Sequence, residues 1–169
     1  DRSLVGSEMC IRDRLKVNPN DLKIIPPIFP DDSIVRHSLA VNYSNLIEMD
    51  RQVGKLIDHL KQEDIYDDSY IFFYSDHGGP FPRHKRAIYE TGTKVPFFVK
   101  LPTGTKEKVD TNQFLSFVDF APTVLSIAGI NIPSFQQGKP FLGKYKDESK
   151  REYLFTSSDR FDEHPDRIR

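Results

Sequence analysis

From Ile34 to about Leu60 the chain places an apolar residue every three or four positions: Val35, Leu39, Tyr43, Leu46, Ile47, Val53, Leu56, Ile57 and Leu60. That spacing lays one stripe along an α-helix. Asp31-Asp32-Ser33 precedes it and supplies an N-cap whose negative charge suits the helix dipole. Asp50 falls on the same stripe, and a carboxylate there reads as hydrogen-bonded to nearby backbone rather than as a catalytic group.

Beyond residue 67 the pattern changes. "SYIFFYSD" is a short apolar run bounded by Asp67-Asp68 and by glycines. It predicts a strand buried on both faces, as in a parallel sheet. "VPFFVKLP" (95–102) predicts a second strand, with Pro96 near its start. "QFLSFVDFAPTVLSIAGI" (113–130) predicts a short strand and then a helix, with Asp119 as N-cap, Pro122 in the first turn and Gly129 as terminator. "REYLFTSS" predicts a last strand, and residues 15–32, with Pro26, Pro27 and Pro30, an extended loop. Helix, strand, strand, strand-helix is an α/β order. Neither internal repeats nor low-complexity tracts interrupt it.

Composition narrows the picture. A chain of 169 residues with 13 Phe and 7 Tyr can bury a core, although only 37% of it is apolar. The net charge of -1 gives no argument for nucleic acid or a membrane surface, so any anion site must be a local concentration of charge. No apolar run approaches the roughly 18 residues of a membrane-spanning helix, and no signal peptide is visible. A single cysteine, Cys10, excludes an internal disulfide and a cysteine-based zinc site. The first 14 residues, "DRSLVGSEMCIRDR", have no periodicity and resemble translated sequencing-adapter read-through. They read as a non-native or disordered leader, which implies that the chain is an internal piece of a longer protein.

The chemistry concentrates in "YSDHGGPFPRHKR", residues 74–86. In α/β sheets ligands collect beyond the carboxyl ends of strands, where Asp76 and His77 fall. Gly78 and Gly79 allow the backbone to turn sharply there. An adjacent carboxylate and imidazole are candidate ligands for a divalent cation: Ca²⁺ or Mg²⁺ by the oxygen donor, Zn²⁺ or Mn²⁺ by the nitrogen. Lys85 follows nine positions after Asp76, along a path stiffened by prolines. A cation and an ammonium brought together imply an anion between them, as when a metal polarises an oxyanion ester and a lysine neutralises another oxygen. Arg83 and Arg86 are weaker candidates and read as solvent-facing.

These residues stand inside a longer likeness. "MDRQVGKLIDHL", "SDHG", "KRAIYETGTKVPFFVKLP" and "SFVDFAPTVLSIAGINIPSFQQGKPFL" occur in that order, and together resemble the C-terminal half of a sulfatase catalytic domain of the alkaline phosphatase superfamily. The likeness covers roughly residues 25–145, and an ordered series of blocks is more specific than any one motif. It implies an α/β fold, an alkaline-phosphatase-like sandwich with helices on a mostly parallel sheet. By the same resemblance residues 15–150 are the C-terminal half of the catalytic domain, and 151–169 begin a smaller C-terminal subdomain. The resemblance further implies that Asp76 and His77 bind a divalent cation, usually calcium, and that Lys85 contacts the sulfate. Tyr89 and Glu90 match the same block as packing and backbone anchors. Arg83, His84, Asp159 and Arg160 are further candidate substrate contacts. The form "GGPFPRHKR" is similar to that of sulfatases acting on carbohydrate sulfates, which implies a sulfated glycan or small molecule as substrate and a periplasmic or secreted setting.

The chain also departs from the family pattern. A sulfatase nucleophile is a formylglycine made from Cys or Ser in C/S-x-P/A-x-R. "CIRDR" has Arg12 where Pro or Ala is required and lies in the suspect leader. The nucleophile, the N-terminal Asp pair and the residues assisting the leaving group are therefore expected outside this chain, which alone should be inactive. Two other readings remain. A two-metal phosphodiesterase or phosphatase also uses Asp-His-Gly but generally needs a further downstream His, for which only His164 is present. A non-catalytic homologue would keep the fold and bind sulfated glycans.

Overall fold

A computed structural model describes residues 15–85, 87–109 and 112–157, so the leader and the candidates Arg86, Asp159 and Arg160 lie outside the described residues. The chain divides into two units, residues 1–67 and 68–169.

The first unit is built on helix α1, Ser33–Gln62. Its start is the one the sequence predicts: the Asp32 carboxylate accepts from the backbone N–H of Ile34 and Val35 at 2.9 and 2.8 Å. Leu39, Ala40 and Ser44 are its buried positions. Ser44 is polar for a reason. Its Oγ donates to the carbonyl of Ala40 at 2.7 Å and accepts from the amides of Lys16 and Val17 at 3.0 and 3.2 Å. One hydroxyl thereby ties the leading segment across the helix. Arg36 adds a second tie, bonding Asp31 and the carbonyls of Pro19 and Leu22. Asp50 is exposed and its carboxylate has no hydrogen-bond partner among the described residues, so the structure does not place it in the backbone-anchoring role expected of it.

In the second unit, strands β1 (Ile71–Tyr74) and β2 (Phe97–Lys100) pair with Ile71 opposite Lys100 and Tyr74 opposite Phe97. The pairing is antiparallel, which corrects the expectation of a mostly parallel sheet: among the described residues this two-stranded ladder is the sheet. The connection explains the direction. A parallel return needs a full crossover, usually a helix. Residues 75–85 and 87–96 instead fold back as loop around one helical turn, α2 (Glu90–Thr93). Burial on both faces is also not seen in β1, where Ile71, Phe72 and Phe73 are half-buried and Tyr74 is 42% exposed.

One face of the ladder carries Phe72, Tyr74 and Phe97. They meet helix α3 (Phe120–Ile127) and its approach through Phe72–Phe120 and Tyr74–Phe117 ring contacts of 5.2 and 5.4 Å, and meet Phe141 through Phe97 at 5.9 Å. Phe141 and Leu142 are 2% and 0% exposed and form the apolar centre of this unit. Helix α3 ends as predicted. Gly129 takes φ +70°, its amide bonds the carbonyl of Ser126, and Ile130 N–H bonds that of Leu125, a complete Schellman motif.

Two predicted strands are absent among the described residues. Residues 113–116 lead into a 3₁₀ turn, Phe117–Asp119, and residues 151–157 form no strand, with Tyr153 and Phe155 71% and 93% exposed. An apolar run without a neighbour to pair with has no ladder to join.

Asp119 also differs from its expected role. It precedes α3, yet its carboxylate does not cap that helix. It reaches back to the amide of Ser116 at 2.8 Å, accepts from Lys139 N–H at 2.7 Å, and is gripped by Arg151.

Candidate functional site

Strand β1 delivers Asp76 and His77 two and three residues past its last paired position. Asp76 Oδ2 lies 3.5 Å from His77 Nε2, with the two side chains 81% and 38% exposed. His77 Nδ1 is 2.8 Å from the carbonyl oxygen of Gly78. A carbonyl only accepts, so Nδ1 carries a proton in this bond and Nε2 is left to face Asp76. A ring nitrogen and a carboxylate oxygen this close are favourable with a proton or a cation between them. A carboxylate oxygen and an imidazole nitrogen are also donors of the kind that divalent cations take. The pair supplies two ligands, and among the described residues no group of three or more His, Cys, Asp or Glu gathers to complete a shell.

The first glycine after the pair, Gly78, is required by close approach. A Cβ on Gly78 would lie 1.9 Å from the carbonyl oxygen of Thr91, while the Gly78 amide bonds the Gly92 carbonyl at 3.1 Å. Gly92 is equally confined, with the carbonyl oxygens of His84 and Ala87 each 2.2 Å from where its Cβ would stand. The turn at 90–93 is thus the wall on which the charged loop is built.

That loop, residues 79–85, is closed by Lys85 N–H bonding the Gly79 carbonyl at 3.1 Å. Within it His84 N–H bonds the Phe81 carbonyl at 3.1 Å, with Pro82 at the second position and Arg83 at the third, at φ +65°. This is the pattern of a type II turn, in which the third position normally takes glycine. An arginine there costs about 1 kcal/mol or more. The Thr91 hydroxyl donates to the Arg83 carbonyl, and so holds that residue from outside the turn. His84 sets its Nδ1 3.0 Å from the Pro82 carbonyl and its ring 5.8 Å from Phe81. Lys85 is exposed and forms no ion pair among the described residues.

The structure thus brings Asp76 and His77 together and leads Lys85 back beside Gly79. It leaves Arg83 exposed, in line with the solvent-facing reading. Tyr89 and Glu90 anchor through backbone, their carbonyls accepting from Gly92, Thr93 and Lys94. Tyr89 is 62% exposed, so the packing expected of it is not seen. Sequence reasoning passed over Thr91, whose only signal was an alcohol beside a glycine in "ETGT".

With this geometry in place, comparison with known proteins gives a consistent answer. The sulfatase family model matches residues 12–130, and the chain belongs to the sulfatase family, hydrolases of sulfuric esters. It is 42% identical over 145 residues to an ulvan-active sulfatase of Formosa agariphila, covering 86% of this chain and 24% of that protein. It is 30% identical to human N-sulphoglucosamine sulphohydrolase over 66% of the chain and 22% of that protein. An endo-4-O-sulfatase of Bacteroides thetaiotaomicron is 29% identical over 79% of the chain and 27% of that protein. The chain therefore spans about a quarter of the length of these curated relatives. No described helix is long and apolar enough to cross a membrane.

Proposed function

We propose that residues 15–150 form the C-terminal half of a sulfatase catalytic domain that cleaves carbohydrate sulfates, with 151–169 opening the smaller subdomain. The observation that carries this reading is the imidazole Nε2 of His77 set 3.5 Å from Oδ2 of Asp76 at the end of β1. Asp76 and His77 would hold the cation, calcium by the family's habit, and the nucleophile is a formylglycine outside this chain. When bound, the cation would polarise a sulfate oxygen. Lys85 would supply an ammonium to the sulfate and neutralise charge on its oxygens. The glycan preference is supported by the relatives, one ulvan-active and one named for sulphoglucosamine. His84 and Arg83 lie in the same loop, and with Asp159 and Arg160 they remain candidate substrate contacts.

The test is hydrolysis by the complete protein that carries these residues. It should cleave 4-nitrophenyl sulfate in preference to 4-nitrophenyl phosphate, and Lys85→Ala should lower kcat/KM for the sulfate by about 100-fold or more. A preference for phosphate, or an unaffected Lys85→Ala enzyme, overturns the reading.

A further inference from the structure

The hydrogen bond from Thr91 to Arg83 has a consequence for the anion site. Arg83 occupies the left-handed position of the Phe81–His84 turn at φ +65°, which a glycine would fill without penalty. Two residues later the chain delivers Lys85, whose own amide is fixed to Gly79. The peptide leaving Arg83 therefore sets the direction in which Lys85 departs from the loop. Three bonds fix that peptide and its neighbours: Thr91 hydroxyl to Arg83 carbonyl, His84 amide to Phe81 carbonyl, and Ala87 amide to His84 carbonyl. The first of these comes from the α2 turn, and the same turn bonds Gly78, next to His77. One short turn thus braces both the cation pair and the lysine loop.

We infer that Thr91 is a positioning residue for sulfate recognition: its hydroxyl holds the Arg83 peptide and so aims Lys85 at the anion. This rests on the proposed sulfatase reading of the site. Thr91 does not touch the reacting atoms, and its effect passes through Lys85.

The experiment compares Thr91→Val, Thr91→Ser, Lys85→Ala and the Thr91→Val/Lys85→Ala double variant in the complete protein. Inorganic sulfate affinity is read by calorimetry, kcat and KM on 4-nitrophenyl sulfate, and folding by thermal melts. Thr91→Val should weaken inorganic sulfate binding and lower kcat by about three- to tenfold, the scale of one lost hydrogen bond. Thr91→Ser keeps the hydroxyl and should restore both. In the Lys85→Ala background the valine should add no further loss, because the two residues act as one unit. If Thr91→Val does not fold, Thr91→Ala serves as the hydroxyl deletion. A Thr91 variant equal to wild type beside an impaired Lys85→Ala overturns the inference and leaves the site reading intact. Equal losses with and without Lys85 also overturn it, by assigning Thr91 to general stability. An unimpaired Lys85→Ala overturns the site reading itself, and the inference with it.

Discussion

Arg151 grips the carboxylate of Asp119 with both terminal nitrogens, Nη1 at 2.5 Å and Nη2 at 2.7 Å. Asp119 is 1% exposed, and two backbone amides fill its remaining acceptor positions. The grip fastens the segment after residue 139 to the start of α3, and Thr123 repeats the fastening by accepting from Phe141 N–H at 3.1 Å. Breaking a buried pair from one side leaves the other partner uncompensated. Asp119→Ala should therefore destabilise the fold by about 3 kcal/mol, read by urea denaturation. A loss under about 0.5 kcal/mol would show that water replaces the carboxylate at little cost.

The same carboxylate sets an acid limit. Burial pushes the Asp119 carboxyl up, but hydrogen bonds from Arg151, Lys139 N–H and Ser116 N–H outweigh it and hold the group below its ordinary 3.8. A depressed folded value means the unfolded chain binds the proton first, so stability rises with pH across that window. The contribution is complete above the ordinary carboxylate range and is lost as pH falls through the folded value. Melting temperature should be flat near neutrality and fall on the acid side, and Asp119→Asn should flatten that fall. An unchanged acid slope in Asp119→Asn would assign it to other carboxylates.

Gly78→Ala tests the wall behind the site. A Cβ there meets the Thr91 carbonyl oxygen at 1.9 Å, and backbone rather than a flexible side chain must move. The substitution should displace the α2 turn from the Asp-His pair and reduce cation affinity at least tenfold, measured by calcium titration of the complete protein. Wild-type affinity would mean that the turn does not brace the pair.

Arg83→Gly separates backbone from side chain. Glycine fits φ +65° without strain, while its greater freedom in the unfolded chain offsets the gain, so stability should change by less than about 1 kcal/mol. Because Arg83 reads as solvent-facing, turnover of an aryl sulfate should stay within about threefold of wild type. A large loss with unaltered melting would make the guanidinium a sulfate contact.

Much of this architecture was legible because it is local. The 3.6-residue period and the Asp32 cap fix α1 within the sequence, and Gly129 closes α3 by a rule that needs no distant partner. "SDHG" announced Asp76 and His77 through the change from aromatic run to glycines. What stayed hidden depends on partners far along the chain. The antiparallel sense of β1 and β2 follows from how the connection between them turns back, which apolar runs do not encode. Asp119 looks like a helix cap until Arg151, 32 residues later, is seen to claim it. The brace of Thr91 on Arg83 is a side chain meeting a carbonyl eight residues away, and carbonyls leave no mark in a sequence.

The central claim is that Asp76 and His77 hold a cation at the end of β1. Its most direct test is a calcium titration by calorimetry of the complete protein beside its Asp76→Asn and His77→Ala variants, each checked for an unchanged thermal melt. The account predicts that each substitution weakens calcium binding by at least tenfold while the fold persists. Binding isotherms indistinguishable from wild type in both variants would contradict it.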